Sequence, residues 1–202
     1  MAVRRVRRSS GTAAHDDGRV QRGERNRDAI VEAMFALVGE GTLQPTAEQV
    51  AARAGVGLRS VFRHFRDMES LYAALNARLR HEAEPIVAAG EPSGSAASRA
   101  RAMVQRRARL FEHIAPYKRS ANLARQRSVF LNDTHRALVG ELRAHLARWL
   151  PELGEAPRAV ADALEQATSF EAWERLRGDQ GLSAARAREA MEVAVLALLR
   201  AR

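Results

Sequence analysis

Residues 46–65, TAEQVAARAGVGLRSVFRHF, constrain the fold more than any other part of this 202-residue chain. Thr46 and Gln49 have the spacing of a capping box, in which the threonine hydroxyl accepts from the glutamine N–H while the glutamine side chain reaches back to the cap. Gly55 then suits the left-handed backbone of a tight turn between helices. The segment therefore predicts two short helices, joined by a tight turn and packed closely together.

The second of these helices has a basic face. Its apolar stripe, which we expect to point inward, occurs at helical spacing and comprises Leu58, Val61, Phe62 and Phe65. This leaves Arg59, Ser60 and Arg63 outward, with His64 beside them. A guanidinium group can bond to guanine O6 and N7 or hold a phosphate, and a helix-turn-helix lays its second helix in a major groove. The face predicts DNA binding; the alternatives are solvated arginines and a histidine that packs within the domain.

Residues 25–75 resemble the DNA-binding domain of the TetR family of bacterial helix-turn-helix transcriptional regulators. The resemblance is carried by a T-x-x-x-V-A-x-x-A-G-V turn, an x-V-F-R-H-F helix and an x-E-x-L start, here Thr46, Val50, Ala51, Ala54, Gly55, Val56, Val61, Phe62, Arg63, His64, Phe65, Glu69 and Leu71. Two positions depart from the family pattern. Phe62 replaces the usual Tyr and removes a hydroxyl that often reaches a phosphate, and Met68 replaces the usual Lys, for which Arg66 is a substitute.

We predict that one continuous region around the second helix contacts double-stranded DNA. The predicted DNA-binding residues are Thr46, Gly57, Leu58, Arg59, Ser60, Phe62, Arg63, His64 and Arg66.

The whole chain has helical periodicity and no strand-like alternation, so the predicted fold class is all-α with about nine helices. It comprises an N-terminal three-helix helix-turn-helix domain and a C-terminal helical ligand-binding and dimerisation domain. Outside residues 46–65 the predicted helices run from Arg25 to Gly39, from Asp67 as cap to a kink or end at Pro85, from Ala97 to Ile114 with a stop near Pro116, twice between Tyr117 and Trp149, from Pro157 to Arg177, and from Ser183 to Arg200.

Three parts follow from this pattern: a flexible basic arm over residues 1–22, the DNA-binding domain over 23–83, and the ligand-binding and dimerisation domain over 84–202. The arm contains Arg4, Arg5, Arg7 and Arg8 and no acid before residue 16, so it either adds electrostatic affinity for DNA or is a solvated tail.

Composition excludes several classes of protein. The chain has a formal charge of +9 and no cysteine, which excludes disulfides and thiolate metal sites. We expect no metal, no cofactor and no membrane contact, and a cytoplasmic location, because no apolar run has the length of a signal peptide or span. An enzyme is disfavoured, since H-E-x-x-H, G-x-S-x-G and a Gly-rich phosphate loop are missing. A purely structural helical adaptor is the other alternative.

The resemblance implies a pocket for an unknown small-molecule effector in the second domain. We place it collectively among the aromatic and imidazole groups there, and the alternative for each is ordinary core packing. The predicted ligand-binding residues are Phe111, His113, Tyr117, Phe130, Trp149, Phe170 and Trp173, with His135 as a further candidate.

The last two predicted helices have faces rich in small residues, which favours close helix packing. These residues are Ala161, Ala163, Ala167, Ala187, Ala190 and Ala194. The resemblance implies that the two helices form a four-helix bundle with their symmetry mates, and the alternative is a bundle within one chain. The function implied is that of a homodimeric, ligand-released repressor that binds a palindromic operator.

Overall fold

The computed structural model describes residues 12–201, with side chains from residue 21 onward. The four arginines of the predicted arm, Arg4, Arg5, Arg7 and Arg8, lie outside the described residues. The described chain is all-α and contains nine α-helices: α1 Thr12–Gly39, α2 Ala47–Ala54, α3 Leu58–His64, α4 Met68–Ala88, α5 Ala96–Arg125, α6 Val129–Trp149, α7 Arg158–Ala167, α8 Phe170–Glu174 and α9 Ala184–Arg200. This confirms the predicted fold class.

A first compact unit ends at Leu75, within α4. Helices α1, α2 and α3 pack against one another in it. Its core is made of apolar side chains from these helices and the start of α4: Ile30, Met34, Val38, Val50, Val61, Phe65, Leu71 and Leu75. Helix α1 begins at Thr12 and not at the predicted Arg25, because apolar periodicity marks only the packed part of a helix. Residues 12–22 of the predicted arm therefore belong to α1.

The second compact unit begins at Asn76. Its longest helix, α5, packs against α6, α8 and α9, and α7 packs against α9. The buried core includes Met103, Val104, Phe111, Leu146, Trp149, Leu164, Phe170, Trp173, Met191 and Val195. No helix in the described part of the chain is both long and apolar enough to cross a bilayer.

Neither of two helices ends at its proline, although an end was predicted near Pro116 and a kink or an end at Pro85. Helix α4 continues past Pro85 to Ala88, and α5 continues past Pro116 to Arg125. A proline costs one helical hydrogen bond and some steric strain, which burial on either side can outweigh. Ile114, Ala115 and Tyr117 are all buried. The prediction of two helices between Tyr117 and Trp149 was therefore wrong: its first part is the end of α5, and only α6 follows.

The predicted helix from Pro157 to Arg177 is interrupted. Helix α7 ends at Ala167, and Ser169 caps α8 by accepting from the Ala172 N–H at 3.0 Å. A π-helical turn, Arg175–Asp179, follows directly. The final helix, by contrast, lies where it was predicted, with Ser183 as its N-cap. Serine competes well for helix-starting amides, which explains the break that the apolar spacing did not reveal.

Candidate nucleic-acid interface

The start of α2 is fixed by the predicted capping box. The Thr46 hydroxyl accepts from the Gln49 N–H at 3.3 Å, and the Thr46 N–H donates to the Gln49 side-chain oxygen at 2.9 Å. Gly55 ends α2 with φ 67° and ψ 29°, so it has the left-handed conformation that favours glycine. Gly57, in extended backbone, then precedes α3. These local interactions determine how α3 follows α2.

Helix α3 has one buried face and one exposed face. Val61 is 1% exposed and the Phe65 side chain that follows the helix is 3% exposed, whereas Leu58 is 38% and Phe62 is 49% exposed. The prediction that Leu58 and Phe62 point inward was therefore wrong. Only one side of so short a helix fits against its neighbours in the first unit, and Val61 and Phe65 fill it. Leu58 and Phe62 instead extend the outward surface on which DNA contacts are predicted.

The three polar groups predicted on the outward face of α3 lie there together. The Arg63 Nη2 atom donates to the Ser60 hydroxyl at 3.2 Å, and Arg59 and Arg63 are both exposed. Neither arginine has a carboxylate within ion-pair distance among the described residues. Their charges are thus unopposed at short range, as groups that meet DNA phosphates or guanine need to be.

Arg66 and His64 are less available for DNA contacts than the two arginines of α3, because one is ion-paired and the other is partly buried. Arg66 donates to Asp67 Oδ2 at 3.0 Å, and Asp67 in turn caps α4 by accepting from the Ser70 N–H at 2.8 Å. The Nε2 atom of His64 is buried and has no hydrogen-bond partner among the described residues. Burial and the neighbouring Arg63 lower the pKa of His64 below its ordinary value, which favours a neutral imidazole.

One residue of the first unit was missed in the sequence. The Arg27 guanidinium carbon lies 5.3 Å from the centre of the Phe65 ring, on the inner side of α3, and its charge also acts on His64. Nothing in the spacing of the sequence connects α1 with α3 at these residues. Arg27 therefore supports the position of α3 through a cation–π contact that only the fold reveals.

Five of the seven predicted ligand-binding residues are buried and two are half-buried. Phe111 lies between Phe170 and Trp173, with ring centres 5.6 and 6.3 Å apart. These three residues and Trp149 belong to the buried core, and Tyr117 is also buried. His113 and Phe130 are only half-buried.

A buried lysine that was not among the predicted pocket residues lies beside Phe170 and His135. Lys118, the single lysine of the chain, is buried and its Nζ atom lies 2.6 Å from the Nδ1 atom of His135. Burial lowers the pKa of Lys118 to about 8. A signal for this residue was present in the sequence, because Lys118 is a charged residue on a mainly apolar face of α5. Arg107 lies on the same face and gives the same signal. Among the described residues, no group of three or more histidine or acidic side chains is arranged to hold a metal ion.

The fold and the exposed basic helix define a helix-turn-helix DNA-binding protein. Residues 29–75 match the family model of bacterial regulatory proteins of the TetR family. Residues 29–75 thus form a DNA-binding domain of the TetR type, the domain of a transcriptional regulator. No curated protein sequence matches the chain significantly.

Solved structures share the fold of the whole chain. A Rhodococcus sp. protein assigned to the TetR family of transcriptional regulators is 19% identical, with a TM-score of 0.65 over 86% of this chain and 98% of that one. A transcriptional regulator from Rhodococcus sp. Rha1 is 18% identical, with a TM-score of 0.65 over 87% and 96%. A protein from Mesorhizobium loti assigned to the TetR family is 16% identical, with a TM-score of 0.62 over 89% and 98%. At these identities the likeness shows the fold alone.

Proposed function

We propose that the protein is a homodimeric repressor that binds a near-palindromic operator and releases it when a small molecule binds the second unit. The observation that carries the proposal is the surface of α3, on which Arg59, Arg63 and Phe62 are exposed while Val61 is buried. Such a regulator acts in the cytoplasm, where bacterial DNA is located. Catalysis has no part in this proposal.

The proposed DNA contacts fall into three groups. Arg59 and Arg63 lie about one helical turn apart and are candidates for guanine or phosphate contacts, with Ser60 between them. Leu58 and Phe62 offer apolar surface, which suits thymine methyl groups and sugars. Thr46, Gly57, His64 and Arg66 lie around this face, and we assign them phosphate contacts or the positioning of neighbouring groups. Binding of α3 in a groove would explain why both its apolar and its basic side chains are exposed.

The proposed dimer is formed by the last helices of the chain. On α9, Ala190 and Ala194 are half-buried and Val193 is 64% exposed, so an apolar strip remains uncovered within one chain. Ala187 belongs to the chain's own core instead. A two-fold dimer through this strip would set two α3 helices into successive major grooves about 34–36 Å apart. Packing of α7 on α9 within one chain leaves Val193 exposed, so the two arrangements are compatible.

The proposed effector binds in the second unit and favours a conformation with a different spacing between the two recognition helices. Effector binding and DNA binding then oppose each other by a coupling free energy of typically about 1–3 kcal/mol. A ligand that binds only the native state also raises the melting temperature by mass action.

Selection from a random double-stranded DNA library tests the proposal directly. We expect the protein to enrich a sequence with two-fold symmetry, and DNA binding to decrease when an effector from a small-molecule screen is added. Enrichment of no sequence at all would contradict the proposed operator binding and favour a structural adaptor. Enrichment of a single, asymmetric half-site would contradict the dimer and leave DNA binding intact.

A further inference from the structure

Four buried polar atoms without hydrogen-bond partners lie in one part of the second unit. They are Nε of Arg106, Nε of Arg107, and both ring nitrogens of His145. Only three other side-chain atoms of the described residues share this condition, and each of those belongs to a different residue elsewhere. Because buried polar groups in native proteins nearly always have a partner, four in one place indicate that something binds there.

Two of the three side chains, Arg106 and His145, lie against Trp149. The Arg106 guanidinium carbon lies 4.7 Å from the centre of the Trp149 ring, and the His145 and Trp149 ring centres are 5.6 Å apart. Arg107 donates to the carbonyl oxygen of Leu142, three residues before His145 on α6. We call Arg106, Arg107 and His145 the Arg–His cluster; it joins the inner side of α5 to α6.

Among the residues that the structure describes, no carboxylate is bonded to the positive charges of the Arg–His cluster. Arg107 is 1% exposed, and it donates to neutral groups: the Thr168 carbonyl and hydroxyl at 2.7 and 2.6 Å, and the Leu142 carbonyl. Arg106 donates to the Val87 and Gly90 carbonyls, which are also neutral. Burying a charge without an opposite charge is costly, so the folded chain maintains a site that an anion would stabilise.

The surroundings of His145 are also positive. Burial lowers its pKa to about 4, and every charge that acts on it, from Arg107, Arg106 and Arg148, acts in the same direction. Burial likewise lowers the pKa of Arg107 to about 10, and the carboxylate of Glu165 opposes the change. His145 is therefore neutral in the free protein and can donate one N–H while the two arginines supply charge.

We propose that the Arg–His cluster binds the oxyanion group of a small molecule, a carboxylate or a phosphate monoester, whose apolar part packs against Trp149. The proposal rests on the proposed function and names the chemical class of the effector. Arg106 Nε, Arg107 Nε and one nitrogen of His145 are the donors, because charge-assisted hydrogen bonds to oxyanions are the strongest that these groups form. The aromatic ring and the neighbouring Leu146 provide the apolar surface for the rest of the ligand.

Binding of three matched aromatic probes to the full chain tests this assignment. Benzoate, phenyl phosphate and the uncharged benzamide are titrated into the protein, with histidine NMR signals recorded and His145 assigned from the His145→Phe variant. We expect benzoate or phenyl phosphate, but not benzamide, to shift the His145 signal and to raise its pKa, since an adjacent anion favours imidazolium. A preference for one of the two anions identifies the class of oxyanion. Failure of both anions to perturb His145 overturns the proposal.

Variants locate the binding site without relying on one substitution. His145→Phe retains a ring against Trp149, and Arg106→Gln retains a polar side chain but removes the guanidinium charge; each should weaken binding of the preferred anion at least tenfold. Arg107→Met is less informative alone, because it also removes the bonds to Thr168 and Leu142. Arg136→Gln, a change at an exposed arginine of α6, is the control and should bind as the wild type does. Equal affinity in all variants places the anion elsewhere and overturns the assignment.

The result is separable from the proposed function. DNA binding by each variant, measured without any probe, should equal that of the wild type, because the Arg–His cluster lies outside the DNA-binding unit. If DNA is bound and an uncharged compound releases it by binding at the Arg–His cluster, the repressor proposal stands and the oxyanion proposal fails. If anions bind at the Arg–His cluster but the chain selects no DNA, the oxyanion proposal stands and the repressor proposal fails.

Discussion

The Arg63 guanidinium donates to the Ser60 hydroxyl at 3.2 Å, on the exposed side of α3. The contact joins residues one helical turn apart, and it holds an arginine in a defined direction before any DNA is present. Pre-positioning of this kind reduces the side-chain entropy lost on binding. Val61, between them in sequence, points into the core and fixes the orientation of the whole face.

The capping box of α2 makes a prediction about stability. Thr46→Ala removes the acceptor for the Gln49 N–H, so the free energy of unfolding should fall by about 0.5–2 kcal/mol. Chemical denaturation followed by circular dichroism measures the change. Thr46→Ser retains a hydroxyl at the cap and should remain close to the wild type. An unchanged midpoint in Thr46→Ala would show that the cap contributes nothing to stability.

Phe62 makes a prediction about affinity. Its ring is 49% exposed, so Phe62→Tyr places a hydroxyl on the outward surface without disturbing the core. If α3 enters the groove, this hydroxyl should gain a phosphate contact and tighten DNA binding by about 0.5–1.5 kcal/mol, the usual contribution of one hydrogen bond. Titration of the selected DNA measures the gain, and thermal melting verifies that folding is unaffected. Weaker binding by Phe62→Tyr would show that the ring, not a missing hydroxyl, fits the interface.

The proposed dimer can be tested on α9. In a two-fold dimer the same surface of each subunit forms the interface, so one charged substitution introduces two charges there. Ala190→Glu and Val193→Glu should both shift the protein toward monomer in sedimentation velocity. Ala144→Glu, at an exposed position of α6, is the matched control and should leave the dimer intact. If both α9 variants remain dimeric, the interface lies on another surface.

The pKa of His145 predicts a pH effect on folding. In the unfolded chain His145 binds a proton near its ordinary pKa of 6.5, whereas in the folded chain it does so only near 4. The unfolded state therefore binds more protons between these values, and stability is lost as pH falls from about 6.5 to 4. The His145→Phe variant should lose stability less steeply over that pH range. The difference in slope should correspond to at most about one bound proton. Denaturant melts at several pH values measure the slope, and identical slopes would contradict the buried, neutral state of His145.

Local signals in the sequence predicted the parts of the fold that local interactions determine. Thr46 with Gln49, and Gly55 after them, act within a few residues, so the two helices and the turn of residues 46–65 lie where they were predicted. The exposure of Leu58 and Phe62 was missed, because helical spacing shows which residues share a face but not how wide a face the neighbours cover.

Long-range packing accounts for the remaining differences. The continuation of α5 past Pro116 depends on burial by other helices, and no local pattern reports it. Arg107 interrupts an apolar stripe that includes Met103, Val104 and Phe111. That interruption was a usable signal for a buried charge, whereas its partners Leu142 and Thr168 become neighbours only in the folded second unit.

The most direct test of DNA recognition by α3 is a binding titration of the double variant Arg59→Ala/Arg63→Ala, with selected and scrambled DNA at several salt concentrations and with Arg136→Ala as the control. If an arginine contacts guanine, its loss should cost about 1–3 kcal/mol on the selected DNA and relax one base position in each half-site. If it contacts phosphate, affinity should fall similarly on both DNAs and the salt slope should shrink by about one unit per contact. We predict one of these losses for each arginine. Unchanged affinity and unchanged salt dependence in the double variant would contradict the entry of α3 into the groove.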